Sequence, residues 1–138
     1  MKKVYLDNAS TTAFRPEVIQ EMTRVMQEDY GNPSSTHSFG RTSKNILETS
    51  RKSIAKQINA TAQEIIFTSG GTEADNWILR SDVEDLKIKR IITSKIEHHA
   101  VLHTVLALQS DYQIQVDYVK LKQNGEVDIN HLVELLSQ

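Results

Sequence analysis

A glycine pair set between an apolar triplet and a helix-prone stretch constrains this chain more than any other feature. The segment reads FTSGGTEADN, Phe67 to Asn76. Ile65, Ile66 and Phe67 lead into it, short and β-branched, and predict a buried strand. Trp77, Ile78 and Leu79 continue it with helical prospects. A strand that passes through Gly70 and Gly71 into a helix leaves backbone N–H groups pointing outward at the helix start, where the positive end of the dipole also lies. Glycines let an anion approach the backbone closely, and the Thr72 hydroxyl offers one more donor. A glycine-rich turn chosen for steric reasons alone is the competing reading. No lysine follows the glycines as a Walker loop requires, and the G-x-G-x-x-G spacing of a dinucleotide turn is absent. The ligand that suits Gly71 and Thr72 is therefore a single phosphate monoester.

The rest of the chain fits an α/β layer around that turn. Val4, Tyr5 and Leu6 form a brief extended run closed by Asp7-Asn8, and three hydroxyls follow at Ser10, Thr11 and Thr12. Pro16 suits a first helical turn, and Val18, Ile19, Met22, Val25, Met26 and Tyr30 carry a helical period to Gly31. Gly31 to Gly40 reads as a polar loop containing His37. A second helix carries Ile46, Leu47, Ile54 and Ile58 on one face and Lys44, Glu48, Arg51, Lys52 and Lys56 on the other. Past the central turn, Ser81 to Lys89 reads as a charged surface connection. Ile91 to Thr93 predict a second strand, and His98-His99 open a helix bearing Val101, Leu102, Val105 and Leu106. Ile114, Val116 and Tyr118 alternate as a third strand; Asn124-Gly125 signals a turn, and Asp128 caps a last helix. Helix, helix and then βαβαβα argues a largely parallel sheet. Ligands of such sheets gather at the carboxyl ends of strands, which brings Gly71-Thr72 and His98-His99 toward one place.

Composition narrows the partners. The 138 residues carry 16 basic and 18 acidic side chains, a formal charge of −2, and no basic cluster exceeds two adjacent residues. Neither a nucleic-acid nor a membrane surface is indicated. Lys2 and Lys3 are not followed by an apolar signal core, and a cytoplasmic protein is expected. There are no cysteines, which excludes disulfides and thiolate metal sites within these residues. His98, His99 and His103 invite a metal reading, yet no H-E-x-x-H spacing supports it. An imidazole at a strand end beside a phosphate turn can instead stack on an aromatic ring.

Four segments together resemble a known family. YLDNASTT (Tyr5 to Thr12), GNPSSTHSFGR (Gly31 to Arg41), EIIFTSGGTEADN (Glu64 to Asn76) and ITSKIEHHAV (Ile92 to Val101) look like NifS-like cysteine desulfurases, class V members of the fold type I pyridoxal-phosphate enzymes. The motifs keep the family's order, and nearly its spacing, from about residue 4 onward; the connection between Asn76 and Ile91 is shorter. The resemblance implies an α/β fold, part of a fold type I PLP-dependent transferase large domain, with a mostly parallel sheet and flanking helices. Residues 1–14 would be an amino-terminal arm and 15–138 the first part of the PLP-binding large domain. It implies pyridoxal 5′-phosphate as cofactor, with Gly71 and Thr72 on the phosphate and His98 stacked on the pyridine ring, where it could also help move a proton. The implied reaction converts L-cysteine to L-alanine and passes sulfur to an enzyme cysteine, in a homodimer that serves a sulfur-acceptor protein and iron–sulfur cluster assembly.

In that family the Schiff-base lysine, the aspartate facing the pyridine nitrogen, the substrate-carboxylate arginine and the sulfur-accepting cysteine are expected beyond Gln138. No lysine here stands in a Ser-x-His-Lys context. These residues thus read as an amino-terminal portion with no catalytic residue of its own, not expected to turn over alone. Two other readings stand beside it: a selenocysteine lyase or related PLP lyase, and a non-catalytic binding or dimerisation module. A sheet of three strands would also leave Ile65, Phe67, Ile91 and Ile114 in need of cover.

Overall fold

Pro16 opens the first helix, α1 (Pro16–Glu28), with Arg15 extended before it and Glu17 in the first turn. In this computed structural model residues 3–138 are described; the first two residues of the expected arm, Lys2 among them, lie outside the described residues. The chain divides into two compact units, the first ending at Ile66 and the second running Phe67–Gln138.

In the first unit, α2 (Ser38–Gln57) begins inside the segment expected to be loop. The reason is local. His37 stands at the N-cap and its Nδ1 accepts from the Gly40 N–H at 3.4 Å, so a ring expected to be merely solvated starts the helix. Gly40 is needed for close approach, because a Cβ there would come within 2.7 Å of the Asn32 carbonyl oxygen. The buried Ser43 hydroxyl ties the end of α1 to α2, donating to the Asp29 carbonyl at 2.8 Å. The apolar faces behave differently from their sequence pattern. Val18, Ile19, Met22 and Met26 on α1, and Leu47, Ile54 and Ile58 on α2, are all exposed, and α1 contains no buried residue. Periodicity marks a face that can be covered, and within this unit nothing covers it.

Asn59 (φ 53°) then turns the chain in the left-handed region, and a 3₁₀ turn follows at Ala62–Glu64. Glu64 accepts from both the Thr61 N–H (2.7 Å) and the Thr61 hydroxyl (2.8 Å). The expected strand at Ile65 to Phe67 is corrected here. Ile65 is extended, and its carbonyl accepts from Arg51, but these residues pair with no strand among the described residues. A strand is defined by its neighbour's hydrogen bonds, which an apolar triplet cannot supply by itself.

The second unit holds the core. It runs α3 (Gly71–Glu84), β1 (Arg90–Thr93), α4 (His99–Tyr112), β2 (Gln115–Tyr118) and α5 (Ile129–Leu136). β1 and β2 pair in parallel, Ile91 opposite Val116, with α4 as the crossover. Val83, Leu108 and Ile114 are buried together, with Leu79, Ile91 and Val116 packed against them. The two strands thus confirm the parallel α/β order. The expected surface connection from Ser81 does not hold: α3 continues to Glu84, and Val83, flanked by Asp82 and Glu84, is 4 % exposed. Ile114, expected to be bare, is buried as well.

Chain reversals are set locally. Lys87 (φ 59°) and Gln113 (φ 53°) adopt left-handed backbone between α3 and β1 and at the end of α4. Gly125 (φ 86°) makes the turn that lets Leu121 bridge antiparallel to Val127. Asp128 caps α5 as expected, accepting from the Asn130 and His131 N–H groups at 3.0 and 3.2 Å. At the start of the strand pair, Arg90 Nε donates to the Asp117 carboxylate at 2.6 Å.

Candidate functional site

The glycine turn does open a helix. Gly70 is the N-cap of α3, Gly71 its first residue and Thr72 its second. The first i→i−4 bond of the helix runs from the Ala74 N–H to the Gly70 carbonyl at 3.2 Å. The N–H groups of Gly71, Thr72 and Glu73 therefore precede the backbone ladder and are left for another acceptor. A Cβ placed on Gly70 or Gly71 would meet no atom within 4 Å, so both positions border open space that a side chain would enter.

Glu73 could have consumed those donors and does not. Its carboxylate folds back onto Ser69, accepting from the Ser69 N–H at 2.6 Å and from the hydroxyl at 2.7 Å. The Ser69 hydroxyl, and then the Ser69 N–H, hold this carboxyl below its ordinary range. The first turn of α3 thus keeps an anion-seeking donor set with open space before it, a combination that fits a phosphate monoester.

His98 is placed by its own chemistry. It is the N-cap of α4, just beyond the carboxyl end of β1, and its Nδ1 accepts from the Ala100 N–H at 3.1 Å. That bond requires a lone pair on Nδ1, so a neutral ring carries its proton on Nε2. His99 lies 6.2 Å from the His98 ring, and the His103 ring, one turn further on, is tilted by 35° at 5.2 Å from His99.

α3 packs on α4, and the cleft between their first turns measures about 380 Å³. Thr72 and His98 both line it, together with Asn76, Arg80, His99, His103 and Thr104. Two of the three residues expected at the site therefore share one cleft. Gly71, the third, does not line it. The convergence holds although only one of the two expected strands is formed, because the two helix starts are brought together by helix packing.

Asn76, Arg80 and Thr104 were not among the expected site residues. Thr72, Asn76 and Arg80 are spaced by four, one face of α3, and that spacing was the available clue. Thr104 is 4 % exposed, and its hydroxyl donates to Asn76 Oδ1 at 2.7 Å across the two helices. Among the described residues no helix is long and apolar enough to cross a membrane.

Comparison with known proteins identifies the family. The aminotransferase class-V family profile matches residues 4–138. A cysteine desulfurase IscS from Clostridium botulinum is 42 % identical over 133 residues, which is 95 % of this chain and 33 % of that protein. A selenocysteine lyase from Bos taurus is 35 % identical over 152 residues, 96 % of this chain and 35 % of the other. A solved NifS-like protein superposes with a TM-score of 0.91 at 38 % identity, over 97 % of this chain and 37 % of that one. The chain spans about a third of the length of the relatives it matches. With the match running over nearly all its residues, this chain belongs to the aminotransferase class-V family.

Proposed function

We propose that this chain supplies the phosphate-binding and ring-stacking part of a pyridoxal-phosphate-dependent cysteine desulfurase. The reaction would take L-cysteine to L-alanine and pass sulfur to a cysteine that lies outside these residues. The observation that carries the reading is the shared cleft: Thr72, on the open first turn of α3, and His98, capping α4, line the same space. Bound there, the cofactor would supply an electron sink for charge left on the amino acid's α-carbon.

The roles of this chain's own residues follow from their geometry. The Gly71 and Thr72 N–H groups and the Thr72 hydroxyl would donate to the phosphate oxygens. His98, held at Nδ1 by the Ala100 N–H, would offer a ring face at fixed orientation and keep Nε2–H for a proton-bearing contact. A bare phosphate would need no such ring, and the pairing of the two features favours an aromatic phosphate ester. No catalytic residue is assigned within the chain. Homodimerisation, a sulfur-acceptor partner, a part in iron–sulfur cluster assembly, a cytoplasmic location and the division into arm and large domain belong to the same proposal. The selenocysteine lyase reading is supported by a 35 % identical relative, against 42 % for the desulfurase.

Titration of pyridoxal phosphate into the protein, read by equilibrium dialysis, tests the proposal. Thr72→Val and His98→Ala should each weaken binding about tenfold, equivalent to about 1.4 kcal/mol. Equal affinity in wild type and both variants would overturn it.

A further inference from the structure

Asn76 joins the two helix starts through a chain of hydrogen bonds. It sits one turn into α3, and its Nδ2 donates to the Thr72 carbonyl at 2.8 Å. The same amide nitrogen reaches the Ala100 carbonyl on α4 at 3.5 Å. Its Oδ1 lies 2.7 Å from the hydroxyl of Thr104, which is also 2.8 Å from the Ala100 carbonyl.

A hydroxyl has one proton to give, so these two short contacts compete. The Ala100 carbonyl lies in the first turn of α4 and already faces the backbone ladder and the Asn76 amide. Asn76 Oδ1 has no other donor within reach among the described residues. Its side chain is partly buried, where an unmet acceptor is costly. The Thr104 proton therefore goes to Asn76. Ala100 in turn donates its N–H to His98 Nδ1. An unbroken path of polar contacts then runs from the Thr72 carbonyl through the Asn76 amide and Ala100 to the His98 imidazole, with Thr104 fixing the amide's orientation.

We propose that Asn76 and Thr104 act as a positioning pair, setting the separation between the donor turn at Thr72 and the ring of His98. The proposal rests on the cofactor reading of Gly71, Thr72 and His98. Neither residue need touch the ligand. The pair matters only for a ligand that uses both ends of the cleft, and this separates positioning from general structural support.

The test compares two probes on the full chain: inorganic phosphate, which needs the donor turn alone, and pyridoxal phosphate, which needs turn and ring together. Binding is followed by the amide NMR shifts of Gly71 and Thr72. Thr104→Val, which removes the donor at nearly constant volume, should weaken pyridoxal phosphate about tenfold and leave inorganic phosphate within twofold. Thr104→Ser should restore both. Asn76→Asp keeps the acceptor for Thr104, loses the donor to Thr72 and Ala100, and should show the same split if Thr104→Val does not fold. Unchanged affinities for both probes overturn the pair alone, and equal losses reduce it to structural support and overturn it too. A wild-type chain that shifts with neither probe overturns the cofactor reading, and the pair with it.

Discussion

Replacing Gly71 with alanine separates binding from folding at the donor turn of α3. Gly71 is the first residue of α3, and a Cβ built there meets nothing within 4 Å. Its φ does not lie in the left-handed region, so the new methyl costs no backbone strain. Alanine also loses less conformational entropy on folding than glycine, worth up to about 1 kcal/mol in a helix interior and less at its first position. Gly71→Ala should thus leave the melting temperature unchanged or raise it by no more than about 5 °C. The same methyl would enter the open space beside the first turn of α3, which on the proposed reading the phosphate occupies. Losing one charge-assisted hydrogen bond there corresponds to about 1.5–3 kcal/mol, or about a ten- to hundredfold loss of affinity. Circular-dichroism melting and calorimetric titration with pyridoxal phosphate measure the two effects side by side. A variant that melts well below wild type would show that the space before Gly71 is occupied. A variant that binds as tightly as wild type would refute the placement of the phosphate on α3.

Two further outcomes are expected from the second unit. Leu108 is fully buried beside Val83 and Ile114, and Leu108→Ala should lower unfolding free energy by about 2–5 kcal/mol in urea denaturation; a loss under about 1 kcal/mol would mean that this cluster is not the core. The Arg90 guanidinium holds the Asp117 carboxyl below its ordinary range, so the pair's contribution is intact above that range and lost as pH falls through the lowered value. Asp117→Asn should therefore flatten the acid limb of melting temperature against pH, and an unchanged limb would show that the pair contributes nothing.

What could be read from the sequence was what the chain decides within a few residues. Asp128 caps α5 through bonds to the next two and three residues, and His98 caps α4 through Ala100. Gly70-Gly71 opens α3 by the same local logic. Strand pairing between Ile91 and Val116 was legible because both runs are apolar and a helix of crossover length lies between them. Ile65 to Phe67 have the composition of a strand, but pairing is a property of two segments and only one was in view. Val83 was lost among the charges of Ser81 to Lys89, where of three apolar residues it alone reaches the core while Leu86 and Ile88 stay exposed. The Asn76–Thr104 contact joins residues 28 apart and arises from helix packing. No local pattern announces such a contact. The donor turn was thus readable and its link to His98 was not.

Glycine is scarce in this chain, and its use at the helix ends has a consequence for engineering. The five glycines are Gly31, Gly40, Gly70, Gly71 and Gly125, and only the pair at 70 and 71 starts a helix. The left-handed positions at Asn59, Lys87 and Gln113 are filled instead by residues with a Cβ. Of these, asparagine tolerates the conformation best; lysine and glutamine bear a steric cost of about 1–2 kcal/mol each. Gln113 is exposed and lies two residues before β2, so nothing in its packing demands its side chain. The protein therefore holds stability in reserve at Gln113, at the opposite end of α4 from His98, whereas the Lys87 ammonium donates to the Glu84 carbonyl at 2.6 Å. Glycine or asparagine at 113 would release that reserve without touching the residues proposed to face the ligand.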